Sequence, residues 1–433
     1  MIKKYKAKVT GENMTSWREK FLRKSFAHNA ISIFEYKILC YVAGIISSIY
    51  LAKVLGPDGK GKLAVVTSVY GMILQFGNLG IGSAHTYYIS KDRRQICKCE
   101  GNIIFMTLLS ALVIPLGLTY FAMHPTLLNL NPFLLIIAFL LVPFSMLLML
   151  QENLFVAINQ VKYFNILQML DNSLYFFIIV VLAFFFELSI ELVAVCMLLA
   201  MVLVSFYSLF LFFCKIEKKF YISLRYLLSI LPYGIKSYCS CLVAYLVLRV
   251  DVFMLNYFSN DYEVGIYSLA VNLVDMSYMV SSSISIILFP KLGTLKSILE
   301  KKILMKKLFL VSTPILILIY LLMGGLAPYA IKILYGEQYM DTVRILQILI
   351  PGAFCWASSN YFFQFFASEN KFLPTVLIPA LALIANVILN SYFIPIIGNR
   401  GAAFASTCSY AICLVGMVVS YFGHIIKNIR ESK

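Results

Sequence analysis

Apolar residues fall along this chain in long runs broken by short polar stretches. Each run reaches about the 20 residues that a helix needs to cross the hydrocarbon of a bilayer. Twelve such runs lie near 31–52, 63–89, 102–122, 132–155, 165–186, 191–214, 230–257, 264–289, 308–330, 345–367, 373–396 and 401–426. They are too long and too uniformly apolar for barrel strands, which alternate over about 10 residues. Backbone polar groups must pair internally in lipid. The pattern predicts an all-α polytopic membrane protein of about twelve transmembrane helices.

Composition supports this. Of 433 residues, 61% are hydrophobic and 13% charged, with a mean hydropathy of +0.86. A soluble domain carries about 25% charged residues. The net charge of +16 would suggest nucleic acid in a soluble protein. In a membrane protein it reflects basic residues gathered in cytoplasmic loops, so no nucleic-acid partner is expected. Most of the 36 Lys and Arg residues fall in the two tails and in alternate loops, such as those holding Lys91, Arg93 and Arg94, or Lys301, Lys302, Lys306 and Lys307. That bias sets both termini in the cytoplasm.

The expected organisation is a cytoplasmic basic tail at 1–28, which has no apolar signal segment, and a six-helix lobe at 29–214. A cytoplasmic linker follows at 215–229, then a second six-helix lobe at 230–426 and a short cytoplasmic tail at 427–433. The loops are short, which disfavours membrane glycan polymerases and glycosyltransferases that carry a sizeable external domain. Cys97-x-Cys99 and Cys239-x-Cys241 lack a matching pair or a nearby His, so no metal site is expected. No G-x-x-x-x-G-K-[ST] loop occurs, and no cofactor is expected.

The chain repeats itself. LAKVLGPDGKGKLAVVTSVYGM and MLNYFSNDYEVGIYSLAVNLVDM each join the end of a span to a polar turn, a Gly and a span rich in Ala, Ser and Val. Gly61 matches Gly265, Pro143 matches Pro351 and Lys162 roughly matches Lys371. The repeat predicts two pseudo-symmetric six-helix halves, in the same orientation, around a central cavity. That is an architecture for alternating access.

Ionisable residues inside spans are costly and are candidate functional sites. Arg249 and Asp251 sit two apart in the seventh span, so they face different sides of a helix. Arg249 either meets a phosphate group through bidentate bonds or bonds another helix. Lys236 either snorkels to the interface or lines the cavity. Asp275, near mid-depth in the eighth span, is a coupling carboxylate or the ion-pair partner of Arg249 or Lys236. Asp171 and Glu152 lie toward the cytoplasmic ends of their spans, with Asp171 a further ion-coupling candidate. Glu35 and Lys37 mark the edge of span one, and the lone His85 is expected in ordinary hydrogen bonds. Asn386 and Asn390, one turn apart, share a face and either pack helices together or touch substrate. Pro395 is expected to end span eleven, with Gly398 and Gly401 making the turn.

Asn386, Asn390, Ile394 and Pro395, then Gly401, Ala402 and Ala403, resemble the penultimate hairpin of the O-antigen (Wzx-type) polysaccharide flippases. These belong to the multidrug/oligosaccharidyl-lipid/polysaccharide exporter superfamily. Leu55-Gly56-Pro57 with Gly61 and the Gly80-x-Gly82 pair looks like that family's opening hairpin. LRVDVFMLNYF, leading to Leu288–Leu292, is a third match, and together they span most of the chain. The chain departs from the family at Lys60 and Lys62, where an acidic residue or glycine is usual, which makes that external turn basic.

The resemblance implies a bacterial cytoplasmic (inner) membrane flippase. It would carry undecaprenyl-diphosphate-linked oligosaccharide by alternating access, with proton or sodium coupling allowed. Arg249, Lys236, Asn386 and Asn390 would meet substrate, and Asp275, Asp251 and Asp171 would couple an ion. Its partners would be the polyprenyl-diphosphate-linked oligosaccharide, membrane lipids, and polysaccharide polymerase and chain-length proteins. The alternatives are a drug/cation antiporter of the same fold, a lipid II or other glycan-lipid flippase of the superfamily, which twelve rather than fourteen spans disfavours, and a membrane glycan polymerase.

Overall fold

The computed structural model describes residues 42–123, 131–158, 160–217, 219–295 and 297–431. Helical bonding runs from Val42 to Asn78 in one element, α1. A straight helix would hold Ser48 and Lys60 about 18 Å apart along its axis. Instead Lys60 Nζ donates to Ser48 Oγ at 3.3 Å, and Leu51 and Leu63 share one small core. The chain therefore reverses inside α1, at Gly56, whose φ is +64. Gly supplies the left-handed residue that closes one helix, and Pro57 suits the first turn of the next. α1 is thus two antiparallel arms, 42–55 and 57–78.

α2 (Ile81–Lys91) follows after a two-residue break, and the axes of Val42–Asn78 and Ile81–Ile89 meet at a 47° bend. α3 (Ile96–Ala111) and α4 (Val113–Met123) follow, then α5 (Pro132–Ala157), α6 (Val161–Ala183) and α7 (Ile190–Lys215). The remaining helices are α8 (Leu224–Phe258), α9 (Asp261–Thr294), α10 (Ile298–Leu334), α11 (Asp341–Ser368), α12 (Leu373–Ile397) and α13 (Asn399–Glu431). Side chains cap several of them where the sequence offers a short polar residue. Ser189, Ser223, Asn260 and Ser297 accept from first-turn N–H groups of α7, α8, α9 and α10.

Among the described residues, nine helices are long and apolar enough to cross a membrane by themselves. α11 adds a 28-residue helix made less apolar by Ser358, Ser359 and Asn360, which it buries in the bundle. The α1 reversal and the bent α1–α2 arm supply the rest. The chain is an all-α polytopic membrane protein, and each expected span has a helical counterpart. Span one is described only from Val42 onward, so Glu35 and Lys37 lie outside the described residues.

Three expected boundaries shift. The polar stretch after Leu55 is no loop, because one helix begins where the other stops. α10 starts ten residues before its expected span and is 37 residues long, about 55 Å. Pro395 does not end α12; it sits in the last turn, and Gly398 (φ +58) stops the helix with its N–H on Ile394 O at 2.9 Å. Glu263 reaches this corner from α9 and accepts the Asn399 N–H at 2.8 Å, placing negative charge at the start of α13.

Helix packing falls into two groups. α5 packs against α2, α3, α6 and α7, while α11 packs against α9, α10 and α13, and α12 against α8 and α13. The segment leading into α8 is strapped to α3. Tyr221 N bonds Cys97 O at 2.9 Å, and Asn102 exchanges two hydrogen bonds with the Ser223 backbone.

The two groups cross backbone to backbone at the matched glycines. A Cβ on Gly61 would collide with Asp261 O, and a Cβ on Gly265 would collide with Pro57 O. Pro57 and Asp261 each stand four residues before their glycine. The crossing is therefore reciprocal: each repeat presents its glycine to the carbonyl at the matching place in the other. Lys62 reaches Asp261 across it at 3.8 Å.

Candidate functional site

Beside this crossing lies a cavity of two adjoining compartments, about 550 Å³ and about 410 Å³. α1 and α9 line both, and Lys60, Thr67, Tyr70 and Asn272 are common to the two. α6 and α7 complete the larger compartment and α8 the smaller.

Four charged side chains face this space. Arg249 lines the smaller compartment and Asp275 the larger, and Arg249 Nη donates to Asp275 Oδ2 at 2.6 Å. Asp171 lines the larger compartment from α6. Lys60 borders both, is 7% exposed and bonds Ser48 Oγ; among the described residues no carboxylate lies within ion-pair distance of it. A buried ammonium without a counter-charge is expensive, so Lys60 makes this space favourable to anions. Placing Lys60 in an external turn was an error of boundary. Leu55-Gly56-Pro57 already carried the signal, since a left-handed Gly followed directly by Pro closes one helix and opens the next. Lys60 then belongs to a first helical turn.

Asp251, two residues from Arg249, faces away from the cavity into its own bundle. It is fully buried and accepts from the Tyr267 hydroxyl, from Ser406 Oγ at 2.9 Å and from Val252 N at 2.8 Å. Asn386 Nδ2 reaches Ser406 Oγ at 3.4 Å, and Asn390 Nδ2 donates to Asn386 Oδ1 at 2.6 Å. Asn390 Oδ1 is buried with no partner among the described residues. α8, α9, α12 and α13 thus meet around one carboxylate, two hydroxyls and two amides. Neither Asn lines the cavity; both are fully buried, and a ligand there does not reach them.

Of the expected site residues, Arg249, Asp275 and Asp171 come together around the cavity, and Asp251, Asn386 and Asn390 around a second centre. Lys236 belongs to α8, but its side chain lies outside the described set. His85 is fully buried, stacks on Tyr226 with ring centroids 6.2 Å apart, and has no partner on either ring nitrogen among the described residues. The ordinary hydrogen bond expected of it is absent there. No group of three metal-ligating side chains occurs among the described residues.

Two groups of helices that cross reciprocally at Gly61 and Gly265 and border a charged cavity have the build that alternating access requires. A family model described as polysaccharide biosynthesis protein matches residues 26–296, and the chain belongs to that family. No curated protein matches it by sequence. Its fold is similar to that of the lipid II flippase MurJ in an inward closed conformation, at 14% identity and TM-score 0.75, over 90% of this chain and 87% of that one. It is also similar to an inward-facing multidrug resistance MATE transporter of the MOP superfamily, at 13% identity and TM-score 0.76, over 91% and 96%. A MOP superfamily transporter from Pyrococcus furiosus matches at 13% identity and TM-score 0.63, over 92% and 94%.

Proposed function

We propose that this chain is a flippase that carries the diphosphate-linked oligosaccharide head of a polyprenyl lipid across the bacterial cytoplasmic membrane. The oligosaccharide is an O-antigen repeat unit or a similar surface glycan. The observation that carries this reading is Lys60, a buried cation with no carboxylate at ion-pair distance among the described residues, in a cavity between the two halves. A diphosphate brought between Lys60 and Arg249 supplies the missing negative charge through charge-assisted bonds. Arg249, held by Asp275, exchanges one oxyanion partner for another. The prenyl tail stays in lipid, and the glycan occupies the larger compartment.

With both termini in the cytoplasm, as the Lys and Arg bias indicates, the Gly61–Gly265 crossing seals the outer side. Rocking about the repeat axis parts the crossing and delivers the head outward. The Asp251 centre is the coupling site in this reading. Its carboxylate, hydroxyl and amide oxygens are hard donors suited to a small cation or a proton. α8 carries Arg249 on one face and Asp251 on the other, so one rigid helix joins cargo to ion. Polysaccharide polymerase and chain-length proteins would take up the product.

A second reading, the drug/cation antiporter, draws on Asp171 and Asp275, two carboxylates in the same cavity. Deleting the gene distinguishes the two. The flippase reading expects complete lipid-linked repeat units to accumulate while surface polysaccharide is lost, with rescue by the intact gene and not by Lys60→Ala. Unchanged surface polysaccharide with heightened drug sensitivity selects the antiporter.

A further inference from the structure

The larger compartment has a wall that neither the crossing nor the Lys60–Arg249 seat uses. Gln168, Asp171 and Tyr175 stand at i, i+3 and i+7 on α6 and all line it, as residues of one helix face do. Tyr70 faces the same space from α1. Gln168 Nε2 is anchored on Glu152 Oε2 at 2.7 Å. Among the described residues Asp171 makes no hydrogen bond or ion pair, and the Tyr175 hydroxyl is buried with no partner. Two strong hydrogen-bonding groups are thus left open toward a volume the size of a small-molecule pocket. Leaving such groups unmet inside a membrane protein is costly unless a ligand meets them.

We propose that this α6 face is the sugar-recognition wall, and that Asp171 selects the sugar attached to the diphosphate; the inference rests on the flippase reading above. A carboxylate accepts only, so Asp171 takes hydrogen bonds from two neighbouring hydroxyls of one ring. Tyr175 donates to a ring or hydroxyl oxygen, and the Tyr70 ring offers an apolar face. Lys60 borders both compartments, so a diphosphate held there hands its first sugar directly to α6. The negative charge of Asp171 favours neutral or amino sugars at that position and repels sugars bearing a carboxylate. A site built to bond a hydroxyl discriminates strongly against ligands that lack it.

The test measures binding of three probes to the purified full chain: geranyl diphosphate, the same lipid carrying glucose, and the same lipid carrying glucuronic acid. Wild type is expected to bind the glucosyl probe best. Asp171→Asn should leave geranyl diphosphate unchanged, weaken the glucosyl probe about tenfold or more, as loss of one or two charged hydrogen bonds does, and improve the glucuronyl probe. Tyr175→Phe keeps the ring and removes one oxygen, giving a smaller loss confined to sugar-bearing probes. Lys60→Ala should weaken all three. Equal weakening of bare and glucosylated lipid by Asp171→Asn, or no change in either, overturns the sugar wall and leaves the flippase reading standing. Failure of wild type to bind any of the three overturns both.

Discussion

The cavity and the Asp251 centre are both polar regions inside apolar bundles, yet they are built oppositely. Around Asp251 the partners are side chains of the protein itself: Tyr267, Ser406, Asn386 and Asn390 close on one another, and Asn390 Oδ1 has no partner among the described residues. Around the cavity, Lys60, Asp171 and Tyr175 face open volume, and among the described residues they have few partners or none. The first arrangement lines neither compartment and ties four helices together. The second has room for a headgroup, and the Arg249–Asp275 pair on its wall joins only α8 to α9. Arg249 and Asp251, two residues apart on α8, belong to one each.

The sharpest way to break this contrast is to remove its closed member. Asp251→Ala strips the acceptor from Tyr267 and Ser406 and leaves buried donors unmet. A loss of about 2–4 kcal/mol in unfolding free energy is expected, from several simultaneously orphaned groups. Thermal unfolding in detergent checks it, and Asp171→Asn run alongside should change stability by no more than about 0.5 kcal/mol. Equal effects of the two substitutions would erase the distinction.

Gly61→Val tests whether the crossing serves the cavity rather than the fold. Its side chain has no room against the Asp261 backbone, so the two repeats part there while each bundle keeps its own packing. Transport should fall to background with modest loss of stability. Cysteines introduced at Lys62 and Asp261 should then crosslink less than in the parent.

The smallest effect concerns a cluster far from both regions. Glu369, at the end of α11, accepts from Lys301 Nζ at 2.5 Å and lies 3.5 Å from His424 Nε2. Burial pushes its carboxyl up, but Lys301 and then His424 outweigh this and hold it below the usual carboxylate range. A depressed acid stabilises the fold fully above its ordinary pKa, about 4.3, and loses that contribution as pH falls through the lower folded value. Stability of wild type should therefore drop slightly below about pH 4, and Glu369→Gln should flatten that step while lowering stability at neutral pH.

Hydropathy made the helical class and the number of spans readable, because length and apolarity are what the bilayer demands. Spacing alone put Arg249 and Asp251 on different faces, and the structure agrees. For Asp275 the sequence left a coupling role and an ion pair with Arg249 or Lys236 open, and the structure pairs it with Arg249. Spacing did not reveal that Asn386 and Asn390 join Asp251, because sharing a face says nothing about which helix that face meets. Lys60 was hidden differently. A polar run of Pro, Asp, Gly and Lys reads as a loop, although its Gly-Pro step already marked two abutting helices. The extra length of α10 was obscured because its first turns carry Lys301, Lys302, Lys306 and Lys307, and charge there signals water rather than the end of a helix.

The central claim is that Lys60 seats a diphosphate in a cavity that opens alternately. Proteoliposomes holding the purified chain and a fluorescent polyprenyl-diphosphate sugar test it most directly, with a membrane-impermeant quencher reporting which leaflet the probe occupies. Wild type should move the probe between leaflets, and Lys60→Ala, equally stable, should do so at least about tenfold more slowly, as loss of a buried charge partner does. Undiminished movement by Lys60→Ala, or none by wild type under any cation gradient, would contradict it.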